Sequence, residues 1–187
     1  MLDEIPFVAV RINWNGTALK LPPLPGFVEL HVQPEGGFPF GRKGRALIAA
    51  WRSFAYDLDK NLVSRGMIIL DGDMAVDLDD IAAMHSDIAD NPDAVWVSLY
   101  KIYPKSTGIR NWVFSVGCKV FSQEVPFFID RFGFGFTYLP AALILECEKN
   151  GLGGWCYPDV DKNVSRICAT MDIAVNLSSA QPKHCNY

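Results

Sequence analysis

The hydrophobic pattern of the chain alternates between strand-like runs and helical spacing. Phe7-Val8-Ala9-Val10-Arg11-Ile12-Asn13 is a short apolar run that predicts a first strand. The Leu21-Pro22-Pro23-Leu24-Pro25-Gly26 connector excludes a helix, and Phe27-Val28-Glu29-Leu30-His31-Val32 predicts a second strand. A glycine-rich loop with Gly36, Gly37 and Gly41 comes next. From Arg45 to Leu62 the apolar positions Leu47, Trp51, Phe54, Leu58 and Leu62 recur every three or four residues, as on an amphipathic helix. Met67-Ile68-Ile69-Leu70 then reads as a buried strand. Asp77 to Ala89 reads as a helix with Leu78, Ile81, Met84 and Ile88 on one side, stopped by Asn91-Pro92-Asp93.

Ala94 to Tyr100 predicts another strand, Trp112 to Phe121 a further one, and Ser122-Gln123-Glu124-Val125 a turn into a short helix. Leu139 to Lys149 has helical spacing and ends at Asn150-Gly151. Gly154 to Tyr157 suits a short strand, Asp161 to Met171 a final helix and Ile173 to Leu177 a last strand. Residues 181–187 form a tail whose His184 could serve in a lid. This alternation predicts an α/β fold with a mostly parallel sheet flanked by helices, because parallel neighbours need crossover connections. No linker or repeat divides the chain, so a single domain over residues 1–187 is expected.

With 187 residues, 50% of them hydrophobic, the chain has material for a sizeable core. The net charge of -4 and pI near 5.3 supply no general attraction to a polyanion, so charge does not indicate a nucleic-acid partner, although it does not bar one as an acceptor. One local basic cluster, Arg42-Lys43-Gly44-Arg45, matches the size of a phosphate group. The acidic start lacks the basic and apolar regions of a secretory signal, and no run approaches the roughly 18 apolar residues of a membrane span. The five cysteines include no CxxC pair. A cytoplasmic protein with reduced thiols and no membrane partner is the expectation.

Candidate chemistry concentrates at Asp71-Gly72-Asp73, where an apolar strand ends in two carboxylates. Ligands of open α/β sheets bind beyond the carboxyl ends of the strands, and residues i and i+2 of a strand share a face. Gly72 between them leaves room for a ligand to approach the backbone. Two hard oxygen ligands suit Mg²⁺ or Mn²⁺ bridging to a substrate phosphate. Without a cation or donors the two acids would repel. Arg42, Lys43 and Arg45 open a predicted helix, whose free N–H groups and dipole favour an anion. Asp77, Asp79 and Asp80 in a first helical turn complement that helix's dipole and need no further role.

These residues resemble a family, the nucleotide-sugar-dependent glycosyltransferases of the GT-A fold, whose DxD motif follows a buried strand. The resemblance covers most of the chain as an order of elements. Gly117-Cys118-Lys119-Val120-Phe121-Ser122-Gln123-Glu124-Val125 is similar to the family's central glycine, strand and Ser-x-Glu-Val turn, which is often near the acceptor. Tyr157-Pro158-Asp159-Val160-Asp161 and the late His184 are similar to its acidic segment and terminal metal-binding histidine. The resemblance implies a GT-A-like (Rossmann-like) domain with Mn²⁺ or Mg²⁺ held by Asp71, Asp73 and His184. The donor, a nucleoside diphosphate sugar, would meet Arg11, Asn13, Arg42, Lys43, Arg45, Asp71 and Gly72. Asp159 or Asp161 would take the acceptor's proton if the reaction inverts, while Asp161 could equally cap the last helix. Asp130 is a further candidate base. The acceptor is not identified.

The aromatics Trp112, Phe132, Phe134, Phe136 and Tyr138 could stack on a sugar or base, offer a partner surface, or pack in the core. Three other readings compete. A haloacid dehalogenase-type phosphatase would use Asp71 as nucleophile with Ser98, Lys149, Asp159 and Asp161 in its other motifs, against which Ala75 and the long preceding stretch count. A nucleotidyltransferase would need a glycine-rich basic signature that Asn13-Trp14-Asn15-Gly16-Thr17 does not supply. In a non-catalytic binding module the acids would be an acidic turn and a helix start.

Overall fold

Strand β3 (Gly66–Asp71) is apolar on both faces, and the rest of the fold covers those faces. In the computed structural model, which describes residues 7–14, 21–32, 40–102, 111–114, 132–151 and 160–185, Met67, Ile68, Ile69 and Leu70 are all buried. Met67 and Ile69 pack into one core with Leu47 and Trp51 of helix α1 (Phe40–Phe54), Leu143 of α3 (Ala141–Lys149) and Val164 of α4 (Val160–Thr170). Ile68 and Leu70 pack into a second with Met84 and Ile88 of α2 (Leu78–Asp90). A strand buried on both faces has helices on both sides, as a parallel α/β sheet requires.

The central sheet has six strands in the order β2-β1-β3-β8-β5-β9, comprising also β1 (Val8–Trp14), β2 (Val28–Val32), β5 (Val95–Val97), β8 (Phe136–Pro140) and β9 (Val175–Leu177). Five run in one direction and β8 runs against its neighbours β3 and β5. The protein is therefore a mixed α/β fold with a mostly parallel, helix-flanked, Rossmann-like sheet. A smaller sheet, in the order β4-β10-β6-β7, stands at the carboxyl end of β3 and contains β4 (Met74–Ala75), β6 (Leu99–Ile102), β7 (Asn111–Phe114) and β10 (Lys183–His184). Among the described residues no helix is long and apolar enough to cross a membrane.

Several elements depart from the pattern-based expectation. Helix α1 starts at Phe40 and stops at Phe54, so Leu58 is fully exposed in a turn. There the Asp57 carboxylate accepts from the Asn61 backbone N–H at 2.8 Å, and Lys60 takes φ +63°. Such local side-chain bonds compete with a helix and end it. The predicted 94–100 strand splits at Ser98, whose N–H bonds the Phe136 carbonyl at 3.0 Å before the chain crosses to the smaller sheet. Strand β8 takes the first residues of the segment predicted as helix from Leu139. It buries Phe136 and Tyr138, while Phe132 and Phe134 are buried just before it, so these aromatics are core and not a partner surface. The Tyr138 hydroxyl donates to the carbonyls of Arg65 (3.0 Å) and Pro92 (2.9 Å). Helix α2 begins as its acids suggest: Asp77 and Asp80 form a reciprocal capping box, a device of about 1 kcal/mol. Gly36, Gly37, Gly117 to Val125, Asp130 and Gly154 to Tyr157 lie outside the described residues.

The β3–β8 contact leaves no room at Gly66, where a Cβ would overlap the Leu139 carbonyl and the Tyr138 ring. Gly66→Ala should cost about 1–3 kcal/mol or more through forced strand separation, read as a lowered urea midpoint.

Candidate functional site

The site is built where β3 stops. The Asp71 N–H bonds the Gly135 carbonyl at 2.9 Å and the Gly72 N–H bonds the Ile12 carbonyl at 2.7 Å, so the chain turns between β8 and β1 before entering β4. A Cβ at Gly72 would lie 2.5 Å from that carbonyl and 2.9 Å from Asn13 Oδ1. The gap that glycine leaves is therefore filled by β1. This corrects the expectation that Gly72 opens the backbone to a donor: the glycine permits strand packing.

Asp71 follows Met67 and Ile69 by the strand alternation and so faces α1 and α4. Lys43, in the opening turn of α1, places Nζ 2.7 Å from Asp71 Oδ1 and 3.7 Å from Asp161 Oδ1. Only 6% of the Lys43 side chain is exposed, and its ammonium lies 5.1 Å from the centre of the Phe134 ring, within cation–π range. Asp161 sits inside the first turn of α4, and its Oδ2 accepts from the Phe134 N–H at 3.3 Å. It thus joins α4 to the segment before β8 and is not that helix's cap. Ser165, one turn on, reinforces the junction by accepting from the Phe132 N–H at 3.0 Å.

Charge and burial act together here. Burial pushes the Asp71 carboxyl up to about 6; Lys43 opposes the shift, while Asp161 and Asp73 add to it. For Lys43 burial works against the charge, but Asp161, Asp71 and Asp73 outweigh it and hold the ammonium above its usual range. Burial, then Asp71 and Asp73, push the Tyr100 phenol upward.

Asp73 occupies the turn between β3 and β4 and faces the smaller sheet. Strand β10 runs antiparallel to β4, with His184 opposite Met74, and parallel to β6. This register brings His184 Nε2 to 3.1 Å from Asp73 Oδ2, and the Cys185 N–H bonds the Asp73 carbonyl at 2.7 Å. The Tyr100 ring stacks on His184, centroids 5.7 Å apart. Gly135 sits so close to Tyr100 that a Cβ there would approach the ring to 2.7 Å. The predicted lid is thus, at residues 183–184, a strand. The side chains of Asp71, Asp73 and His184 are 24%, 29% and 20% exposed, so each reaches solvent.

The other candidates are dispersed. Arg11 is buried with Nε 2.9 Å from Glu29 Oε2, and it donates to the Pro22 carbonyl at 2.8 Å; Asn13 also donates to Glu29. Burial works to raise the Glu29 carboxyl, but these bonds and the Leu24 N–H hold it below its ordinary value. In place of the expected donor contacts, Arg11 and Asn13 bond to Glu29, and Arg11 also to the proline-rich connector. Arg42 is half-buried in the opening turn of α1 and Arg45 is exposed farther along. Asp159 lies outside the described residues. Lys149 is exposed on α3 and pairs with Glu146 at 3.0 Å. Among the described residues no three His, Cys, Asp or Glu side chains converge as a ready metal cage. Lys43 as the counter-ion of Asp71, and Tyr100 as the wall behind His184, were not anticipated; the one available sign was a lysine among the basic residues near the start of a predicted helix.

Removing the Lys43 charge leaves Asp71 and Asp161 facing one another. Lys43→Met should lose about 3–5 kcal/mol at pH 7.5, the usual cost of breaking a buried pair. The loss should shrink at pH 5: Asp71's folded value already lies above the ordinary carboxyl value, so the folded state binds the proton more tightly and stability falls as pH rises from about 4 through 6. Urea unfolding of both proteins across that range checks the sign.

No protein-family model matches the chain, and no curated protein matches it significantly. Among solved structures, the crystal structure of A197 from STIV is similar with a TM-score of 0.57 and 15% identity, over 97% of this chain and 87% of that one. At that identity the likeness shows the mixed α/β fold.

Proposed function

We propose that the protein is a metal-dependent glycosyltransferase, one GT-A-like domain over residues 1–187, moving a sugar from a nucleoside diphosphate donor to an unidentified acceptor. The observation that carries this reading is the meeting of His184, from the far end of the chain, with Asp73 beyond β3, at 3.1 Å. Two ligands each about 2.1 Å from an octahedral cation and at right angles are about 3 Å apart, so the pair suits neighbouring positions on one ion. Mn²⁺ accepts imidazole as well as carboxylate, and such ions commonly take only one or two protein carboxylates, leaving their other positions to phosphate and water. The absence of a complete cage among the described residues is compatible with that coordination.

The residues divide the work. Asp73 and His184 are the proposed ligands, with Asp71 beside them. With Mn²⁺ or Mg²⁺ bound, these residues would hold a positive charge that offsets the negative charge developing on a diphosphate leaving group. Lys43 fixes Asp71 and Asp161 and limits their repulsion. The opening turn of α1 has no acid and carries Arg42, which together with the helix dipole would favour the donor's phosphates, while Lys43 is engaged by the two acids. Asp161 is the described carboxylate assigned to take the acceptor's proton, alongside Asp159. A cytoplasmic setting belongs to this proposal: Cys147, Cys168 and Cys185 are free, and burial pushes the first two thiols up to about 12, away from reactivity.

Titration calorimetry with UDP, GDP, CDP, TDP and ADP, each with and without Mn²⁺, tests the reading. One nucleotide should bind only with Mn²⁺, and Asp73→Asn or His184→Ala should weaken that binding about tenfold or more. Asp161→Asn should keep binding and lose transfer. Metal-independent binding, or Mg²⁺-dependent hydrolysis of a simple phosphate ester without nucleotide binding, would overturn it.

A further inference from the structure

His184 reaches Asp73 along a segment tied down at separate points on α2. After β9, the Ser178 hydroxyl donates to Asp87 Oδ2 at 2.6 Å, and the Ser179 N–H donates to the same oxygen at 2.8 Å. The Ser178 N–H bonds the Val97 carbonyl at 2.8 Å. The Gln181 N–H then bonds Asp80 Oδ1 at 2.8 Å, and Ala180 is buried in the core beside α2. Only after these ties does the chain enter β10. That strand is two residues long, too short to set its own register by ladder bonds, and a cleft of about 520 Å³ lined by Ala75, Asp77, Asp80, Gln181 and Lys183 opens beside it. Asp87 itself lies on α2, outside the Asp73–His184 pair.

We propose that Asp87 is a positioning residue of the site and that residues 178–185 form a strap. By holding Ser178 and Ser179 it sets where β10 enters between β4 and β6, and so delivers the His184 imidazole to Asp73. The strap itself follows from the hydrogen bonds; its effect on a metal ion rests on the function proposed above. The same carboxylate holds two consecutive residues of the strap, so its loss removes the side-chain tie of both at once and leaves Ser178 only its backbone bond to Val97.

The full-length Asp87→Ala variant tests this with two readouts. Amide hydrogen exchange should be about tenfold faster at His184 and Cys185, with the β3 amides of Met67 to Leu70 still protected, which also verifies folding. Mn²⁺ affinity by calorimetry should fall about 10–100-fold, as when the support of a metal ligand is removed, and adding His184→Ala should then cost little more. Ser178→Ala, which removes one hydroxyl, should shift both readouts the same way by less. Unchanged exchange at Cys185 would overturn the strap even if Mn²⁺ binds normally. Faster exchange with unchanged Mn²⁺ affinity would overturn the positioning role. No Mn²⁺ binding by the parent protein would overturn the metal reading and the positioning role with it, while exchange still reports on the strap.

Discussion

A carboxylate at the end of a strand buried on both faces has to be compensated, and in this protein the Lys43 ammonium does so at 2.7 Å from Asp71. That single contact connects three layers. It ties the first turn of α1 to β3 and, through Asp161, to the first turn of α4. Because Lys43 is nearly inaccessible and sits over Phe134, losing either partner would leave the other's charge buried without compensation, a larger cost than breaking a pair at the surface. The β3 terminus is held by this contact together with the backbone bonds of Asp71 to Gly135 and of Gly72 to Ile12.

The two acids consequently have different environments despite being one residue apart. Asp71 looks into the helix layer and is matched by a fixed cation. Asp73, past the Gly72 turn, looks toward the smaller sheet and meets an imidazole stacked on Tyr100. The first arrangement is a structural counter-charge, and the second has the donor types and spacing that a divalent ion accepts. Gly72 makes the division possible, since any side chain there would strike the end of β1.

Much of the fold was legible in the pattern because long-range packing agreed with local preference. Strands β1, β2 and β3 and helices α2 and α4 fall close to where periodicity puts them. Elsewhere one signal misled. Leu58 and Leu62 continue the helical spacing of α1, but Asp57 and Asn61 close a turn between them. Strand β8 lies in a segment where Phe132, Phe134, Phe136 and Tyr138 recur at the strand period of two, a signal outweighed by the helical spacing that starts at Leu139, and β10 is too short to leave any pattern. For the site, residue types were readable at Asp71, Asp73, Lys43 and His184, and the family resemblance grouped Asp73 with His184, whereas the partners of Asp71 and Lys43 were not readable. That Lys43 faces an acid and that Arg11 is consumed by Glu29 are consequences of strand register and helix placement, which no linear spacing encodes.

The central claim is that Asp73 and His184 share one divalent ion. Anomalous diffraction at the manganese edge, from crystals grown with Mn²⁺ and a nucleoside diphosphate, tests it most directly. The account predicts a single strong peak within about 2.3 Å of both Asp73 Oδ2 and His184 Nε2, with diphosphate oxygens completing the coordination. A peak at the acids of α2, or an Asp73–His184 pair left in direct contact with no metal between them, would contradict it.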